Sequence, residues 1–286
     1  METPNDCTGP LVPTARARVV PRLEEPANIP QPSAEVHVHL YRQAGEGTVW
    51  WEKPLRIAPW ATRNPPPVRL GELIERDCQQ RAKGEVRRWI RCWRCDRLIT
   101  LTFAQAVRDY DEVIAEIDRF RQRWIRRLGA QGAPLLVPEP HPNGHGWHIH
   151  GATNRYVPKA ILAELWPRGF VDIRRDKQPR GTMAPRKLST YLAKYLTKEL
   201  TAEQLAGVDP RPVGARRYFV PRGTSPAETR VVVATLKEAE VWLRKFYGEP
   251  DYIAPFQARE EVRIEGYWLS FPDRCLDPPP RPVKGA

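Results

Sequence analysis

The sequence has few cysteines and no long apolar run, and both absences exclude classes of protein. Its five cysteines are scattered at positions 7, 78, 92, 95 and 275, which does not indicate a disulfide framework. No apolar run approaches the ~18 residues of a membrane span, and no signal peptide is visible at the N-terminus. We therefore expect a cytoplasmic protein that does not associate with membranes.

The common motifs of zinc proteins are also missing. There is no HExxH motif, so nothing supports a peptidase. Cys92 and Cys95 form a CxxC pair, but a four-ligand zinc site needs two more partners and only Cys78 is near in sequence. The pair is either part of a structural zinc site or two thiols at a helix–strand junction, and the sequence leaves both open.

What the chain has in excess is positive charge and proline. Its 46 Lys and Arg residues outnumber 34 Asp and Glu, and the net charge of +12 makes DNA the first partner to consider. Proline occurs 31 times, and 12 of these prolines lie in residues 1–70. We expect this region to be largely disordered or extended, although Trp50, Trp51 and Trp60 indicate a small packed piece or a docking patch.

Two histidines form the first candidate site. Side chains alternate across a strand, so His148 and His150 point to one face, where neutral imidazoles can bind a divalent metal. Glu139 ends the preceding apolar strand, and the turn formers in residues 141–146 favour an antiparallel pair that places its carboxylate beside the imidazoles. The alternative is two ordinary strand histidines that face solvent.

The sequence contains a second triplet with the same spacing, His37-Val38-His39. It lies inside the proline-rich region and is not followed by a segment rich in tyrosine and lysine. We interpret this triplet as a coincidence and expect it to play no part in metal binding.

A later segment carries two tyrosines and two lysines on one helical face: Tyr191, Lys194, Tyr195 and Lys198. Leucines at i+4 spacing form a separate ridge that can face the core, so the phenols and amines can face a substrate. The alternative, a half-buried packing residue, is more credible for Tyr195, which borders the leucine ridge. A phenol is almost fully protonated at neutral pH, so a nearby ammonium or metal must stabilise the charge of a tyrosine nucleophile.

A dense run of arginines precedes the first strand of the central region, with Arg87, Arg88, Arg91 and Arg94 at its centre. Interleaved apolar residues indicate an amphipathic helix. A charge run is usually a solvated face, but few acids compensate this one and arginine suits bidentate contact with phosphate. We expect these arginines, together with Lys198, to bind the DNA backbone.

Three segments, in this order, resemble motifs of the HUH endonucleases, specifically the rolling-circle replication initiators of plasmids and small phages. Ile99-Thr-Leu-Thr-Phe103 resembles the first motif, Glu139 with Trp147-His-Ile-His-Gly151 resembles the metal motif, and Tyr191-Leu-Ala-Lys-Tyr-Leu-Thr-Lys198 resembles the two-tyrosine catalytic helix. The resemblance covers roughly residues 85–225 of the chain.

The resemblance implies these roles: metal ligands His148, His150 and Glu139, in preference to His141 or His145; alternating nucleophiles Tyr191 and Tyr195; and a catalytic-site lysine, Lys194. It implies nicking of single-stranded origin DNA by transesterification, which leaves a 5′-phosphotyrosine and a free 3′-OH for a host DNA polymerase, and later rejoining. A mixed imidazole and carboxylate site favours Mg²⁺ or Mn²⁺. The chain has no P-loop of the GxxxxGK[ST] type, so unwinding depends on a separate host helicase.

The order of the elements favours an α+β fold. We expect strands at 98–103, 134–139, 147–153 and 170–175, and helices at 107–128, 158–166 and 186–200. This order fits the split βαβ, ferredoxin-like plan that the resemblance also implies, an antiparallel sheet with helices on one face and the other face open. The expected domains are the Pro-rich region 1–70, the endonuclease domain 71–225 with a basic lead-in helix, and an α+β extension with a tail, 226–286.

Two other functions are compatible with these patterns. A conjugative relaxase or a single-strand transposase would use the same chemistry on a different DNA target. A non-enzymatic DNA-binding protein would use only the basic stretch and the tryptophans.

Overall fold

The structure is a computed structural model that describes residues 35–52, 70–141, 146–175, 184–194, 196, 211–212, 215–257 and 264–272. Within these residues the protein has the expected α+β fold, with five helices and two antiparallel sheets. The helices are α1 (Leu70–Cys92), α2 (Tyr110–Leu128), α3 (Lys159–Leu165), α4 (Ala184–Lys194) and α5 (Leu236–Tyr247). None of them is both long enough and apolar enough to cross a membrane.

The strands of this described part are β1 (Val36–Tyr41), β2 (Glu46–Glu52), β3 (Arg97–Phe103), β4 (Leu135–Pro140), β5 (Trp147–Thr153), β6 (Gly169–Arg175), β7 (Thr229–Val233), β8 (Tyr252–Gln257) and β9 (Ile264–Ser270). The first sheet has four strands in the order β4-β5-β3-β6, all antiparallel. Each of these strands begins and ends within one residue of its predicted bounds, because turn formers mark the ends of the apolar runs.

The apolar side chains on one face of the four-stranded sheet pack against α2 and α3. Helix α2 begins at Tyr110, where the side chain of Asp109 caps it, and ends before Gly129, which has a φ of 78°. The predicted start at residue 107 is too early, because the Val107 carbonyl instead accepts a hydrogen bond of 2.8 Å from the backbone N–H of Trp147. This bond ties the loop before α2 to the start of β5.

The second face of the sheet, which we expected to be open, is partly covered by α1 and α4. Leu135 and Ala152 of the sheet pack there with Val86 of α1 and with Leu188 and Leu192 of α4. Burial of each such aliphatic side chain contributes roughly 2 kcal/mol. Helices therefore lie on both faces, and the polar residues of the second face occur at the other end of β5, beyond this apolar patch.

The five-stranded sheet joins the two ends of the described chain, in the order β7-β1-β2-β9-β8, and α5 packs on one of its faces. The expectation of a largely disordered or extended region 1–70 needs a correction, because residues 36–52 form a paired hairpin whose Trp51 is buried in this core. Trp60 lies outside the described residues. Strands from the predicted first and third domains thus share one sheet, since pairing between β1 and β7 has no local signal in the sequence.

Candidate metal and tyrosine site

Strand pairing brings one carboxylate and two imidazoles together. Glu139 on β4 lies directly opposite His148 on β5, and residues opposite each other in an antiparallel pair share a side of the sheet. His150, two residues on, points to the same side. The turn between the strands ends at Gly146 with a φ of 79°, where a Cβ atom would lie 2.2 Å from the Val107 carbonyl oxygen. Both the φ angle and the close approach require glycine here.

Three donor atoms converge on one point between these side chains. The Nε2 atoms of His148 and His150 are 2.9 Å apart. Oε2 of Glu139 lies 3.3 Å from the first and 3.1 Å from the second. Donor atoms that share one cation at about 2.1 Å lie about 3 Å apart, so the spacing fits a metal site. All three side chains are buried, and together they form a group that could hold a metal ion.

The surroundings of His150 favour a neutral ring. Burial is the largest cause and lowers its pKa, although the hydrogen bond to Glu139 opposes this effect. Nδ1 of His150 lies 3.3 Å from Oγ1 of Thr100, a contact that orients the ring and leaves Nε2 directed at the other donors. Nδ1 of His148 is buried and has no hydrogen-bond partner within the described part of the chain. A neutral imidazole is the form that binds a metal.

Helix α4 places Tyr191 beside this group. The ring centroid of Tyr191 is 6.3 Å from that of His150, and Nζ of Lys194 lies 4.2 Å from the Tyr191 centroid. Leu188 and Leu192, on a different side of the helix, are buried and fix its orientation. Tyr191 is 37% exposed, so its hydroxyl side remains open to an incoming strand of DNA.

Several residues named from the sequence have no described position. Tyr195, Lys198 and His145 lie outside the described residues. The ring of His141 lies 5.4 Å from that of His148, but the convergent donors come from Glu139, His148 and His150.

Two arginines of α1 bind the five-stranded sheet instead of facing solvent. Arg87 and Arg91 form ion pairs of 2.8 and 3.0 Å with the buried carboxylate of Glu46 on β2. Arg91 also donates a hydrogen bond of 3.4 Å to the carbonyl oxygen of Phe271, and only 3% of it is exposed. A side chain that is buried against its own protein cannot contact a phosphate.

The other two arginines of this run also have partners within the protein. The guanidinium of Arg88 lies 4.2 Å from the ring centroid of Tyr41, and Arg94 donates a hydrogen bond of 3.4 Å to the carbonyl oxygen of Gln43. The expectation that Arg87, Arg88, Arg91 and Arg94 bind the DNA backbone is therefore corrected. These arginines attach α1 to the five-stranded sheet, where they balance buried negative charge and cover aromatic rings.

Two residues near the site were not identified from the sequence. Thr100 lies opposite His150 on β3, and only the strand pairing reveals this contact. Arg186, in the first turns of α4, donates hydrogen bonds of 2.6 Å to Asp251 and to the carbonyl oxygen of Phe271. Arg186 and Tyr191 both line an open depression of about 380 Å³ on the surface of α4.

The CxxC pair fits the second of its two interpretations. Cys92 ends α1 and Cys95 precedes β3, and both are buried. Burial raises the pKa of the Cys92 thiol to about 12, and it raises that of Cys95 as well. Zinc binds the thiolate form, which these surroundings disfavour. The two thiols therefore behave as small apolar side chains at a helix–strand junction.

The fold and the site together define a basic α+β protein in which a buried Glu-His-His group lies beside a tyrosine and a lysine on a helix. The replication-associated protein family of the ORF2 type matches residues 96–200, the segment that contains all of these side chains. The chain is similar to that family in this segment, which supports a role as a replication initiator. No curated protein matches the chain, and no solved structure does.

Proposed function

We propose that the protein initiates rolling-circle replication by nicking single-stranded DNA at an origin, as an HUH endonuclease of the two-tyrosine branch. The observation that carries this proposal is the position of Tyr191, 6.3 Å from His150 between ring centroids and beside the Lys194 ammonium. A tyrosine nucleophile next to a group that can hold a metal has the components required to cleave a phosphodiester. The similarity to replication-associated proteins favours replication over conjugative transfer or transposition.

We assign Glu139, His148 and His150 as the ligands of Mg²⁺ or Mn²⁺. A bound ion of this kind polarises a phosphoryl oxygen and offsets its charge, which is worth several kcal/mol in comparable sites. The contribution of the chain is a donor group already assembled by strand pairing. Its three side chains are buried, so little ordering is left for the moment of binding.

The chemistry of the tyrosine is a transesterification. The phenolic oxygen of Tyr191 forms a bond to the scissile phosphorus, and the bond from phosphorus to the 3′-oxygen breaks. The departing 3′-oxygen takes up one proton, which balances the proton that the phenol loses. The products are a 5′-phosphotyrosine and a free 3′-OH, and the same site can reverse the step because no water is consumed. The ammonium of Lys194 stabilises the negative charge that develops.

The substrate must be single-stranded, because a base-paired backbone is too constrained to bend into a compact site. We propose Tyr195 as the second nucleophile and Lys198 as a further phosphate contact. Two tyrosines about one helical turn apart allow a second cleavage while the first holds DNA. The 3′-OH then primes a host DNA polymerase, and a host helicase unwinds the duplex. We assign the nuclease chemistry to residues 71–225.

The test is the formation of a covalent protein–DNA adduct. The full-length protein is incubated with Mn²⁺ and labelled single-stranded oligonucleotides that tile the replicon encoding it, and the products are separated on a denaturing gel. We expect an adduct from the natural protein, a reduced amount from Tyr191→Phe or Tyr195→Phe, and none from the double variant. Phenylalanine retains the ring and removes only the nucleophile. Tyr156→Phe is the matched control, because Tyr156 is 66% exposed but lies beyond the opposite end of β5.

The same gel separates the alternatives. An adduct from the double variant would contradict the assignment of the tyrosines. If one single variant is inactive and the other normal, the protein is a one-tyrosine enzyme. DNA binding without any adduct from the natural protein would favour a non-enzymatic DNA-binding protein.

A further inference from the structure

The five-stranded sheet has one face that its helices leave partly uncovered. Helix α5 packs on the other face, and α1 reaches only the end that carries Tyr41 and Glu46. Strand pairing places four aromatic side chains of the described chain on the uncovered face, because His37 lies opposite Trp50, while Trp268 and Tyr252 follow on β9 and β8. The face therefore carries a band of rings across four neighbouring strands.

The rings of this band contact one another in pairs. His37 is stacked on Trp50, with ring centroids 4.0 Å apart and planes inclined by 11°. Tyr252 lies 5.7 Å from Trp268, and 55% of Tyr252 is exposed. Large aromatic groups left exposed on one side of a sheet usually mark a binding surface. Flat, partly exposed rings at successive strands are the arrangement on which nucleic-acid bases stack.

Charge on this face suits a phosphate backbone. Glu228 at one edge is paired with Arg230 at 2.8 Å, and Asp251 at the other edge is paired with Arg186 at 2.6 Å. Glu46 is buried beneath the arginines of α1. Each of these carboxylates is thus balanced by an arginine, so none of them repels a polyanion, and the chain as a whole carries a net charge of +12.

The aromatic face also adjoins the tyrosine helix. Arg186 of α4 binds Asp251, the residue directly before Tyr252. Tyr191 lies five residues further along the same helix, which is roughly 7.5 Å. A strand of DNA held at Tyr191 can therefore continue past Arg186 onto the sheet without crossing a gap.

We propose that this face of the five-stranded sheet binds the single-stranded DNA that flanks the cleaved phosphate, with bases stacked on Trp50 and Tyr252. The inference rests on the proposed function in taking its occupant from the same substrate strand. Stacking accepts every base, so this surface contributes affinity without sequence preference. Recognition of the origin sequence then depends on other parts of the molecule.

The test measures DNA affinity with cleavage switched off. Fluorescence anisotropy follows a labelled 15-nucleotide oligothymidylate titrated with the full-length protein in EDTA. We expect Trp50→Ala and Tyr252→Ala each to weaken binding roughly 5- to 150-fold, the range for loss of one stacked base. Trp50→Phe retains a ring and should recover most of the affinity. Phe246→Ala is the matched control, because Phe246 is 48% exposed but belongs to α5, behind the same sheet.

Circular dichroism and thermal unfolding establish that each variant is folded. Unchanged affinity in both alanine variants would overturn the inference, and so would an equal loss in Phe246→Ala. Altered self-association without altered affinity would overturn it in favour of a second copy of the chain on this face. The adduct assay is separate: loss of adduct with tryptophan-dependent affinity counts against nicking alone, whereas adduct formation with unchanged affinity counts against the stacking surface alone.

Discussion

Each of the two sheets contains a His-x-His triplet, and the two triplets have different surroundings. On β5, His148 and His150 converge with Glu139, with their Nε2 atoms 2.9 Å apart. On β1, His37 stacks on Trp50, while Nδ1 of His39 lies 3.0 Å from Oε1 of Glu228. The first pair shares one carboxylate, and the second pair is divided between two unrelated partners.

The neighbouring strands cause this difference. Glu139 stands opposite His148 on β4, whereas Trp50 and Thr48 stand opposite the histidines of β1, and β7 offers Val232 and Arg230. Protonation does not distinguish the triplets, because burial is the largest cause that lowers the pKa of both His39 and His150. Two histidines on one face become a metal site only when the pairing register adds a third donor.

The largest expected effect is the loss of cleavage when the β5 triplet is broken. Removal of one ligand should remove most of the several kcal/mol that a metal supplies, so His148→Ala or His150→Ala should slow adduct formation about 1000-fold or more. His37→Ala and His39→Ala should cleave at the natural rate when DNA is saturating. Single-turnover kinetics with Mn²⁺ measure all four, and an equal loss from both pairs would show that the triplets are not distinct.

The next effect concerns how α1 joins the two sheets. Arg91→Ala leaves the buried Glu46 carboxylate with one partner fewer and should destabilise the protein by about 3 kcal/mol. Arg94→Ala, which removes less buried contacts, should cost under about 1 kcal/mol. Urea unfolding measures both changes. A stable Arg91→Ala protein whose DNA binding has become less dependent on salt would instead return this arginine to the DNA backbone.

The four-stranded sheet was predictable because its signals are local. Alternation, turn formers and capping residues lie within a few positions of each element, so the strands at 98–103 and 147–153 were found almost to the residue. The five-stranded sheet was not predictable, since its central pairing joins Val36 to Val233. The arginines of α1 were misassigned for a related reason. A charged helix face has the same pattern whether its partner is a phosphate or a carboxylate that arrives from Glu46, far away in the chain.

The candidate site divides in the same way. The relation of His148 to His150, and of Tyr191 to Lys194, follows from the spacing of strands and helices alone. The approach of Tyr191 to His150 is a tertiary contact, and before the structure only the family resemblance suggested it. Thr100 was missed because its contact with His150 depends on the pairing of β3 with β5.

A smaller effect compares the two carboxylates that accompany the triplets. Glu139→Gln retains the size of the side chain and removes its charge, and we expect it to weaken Mn²⁺ binding about 10- to 100-fold. Glu228→Gln, beside His39, should leave Mn²⁺ binding unchanged. Isothermal titration of the full-length protein with Mn²⁺ measures both. Full affinity in Glu139→Gln would remove this residue from the ligand set and leave the two imidazoles as an incomplete site.

The smallest effect is on stability as a function of pH, measured in EDTA. Burial lowers the pKa of His150 below its ordinary value of 6.5, so the unfolded chain binds a proton at that histidine more readily than the folded one does. The contribution of His150 to stability is therefore complete above about pH 6.5 and is lost as the pH falls below it. His150→Gln cannot take up this proton, so its stability should decline less than that of the natural protein between about pH 7.5 and 5.5. Urea unfolding at both values measures the difference, with His37→Gln as the variant expected to follow the natural protein. Identical pH dependence in His150→Gln and the natural protein would mean that the imidazole of His150 is as readily protonated as one in solvent, and the contrast between the two triplets would then rest on geometry alone.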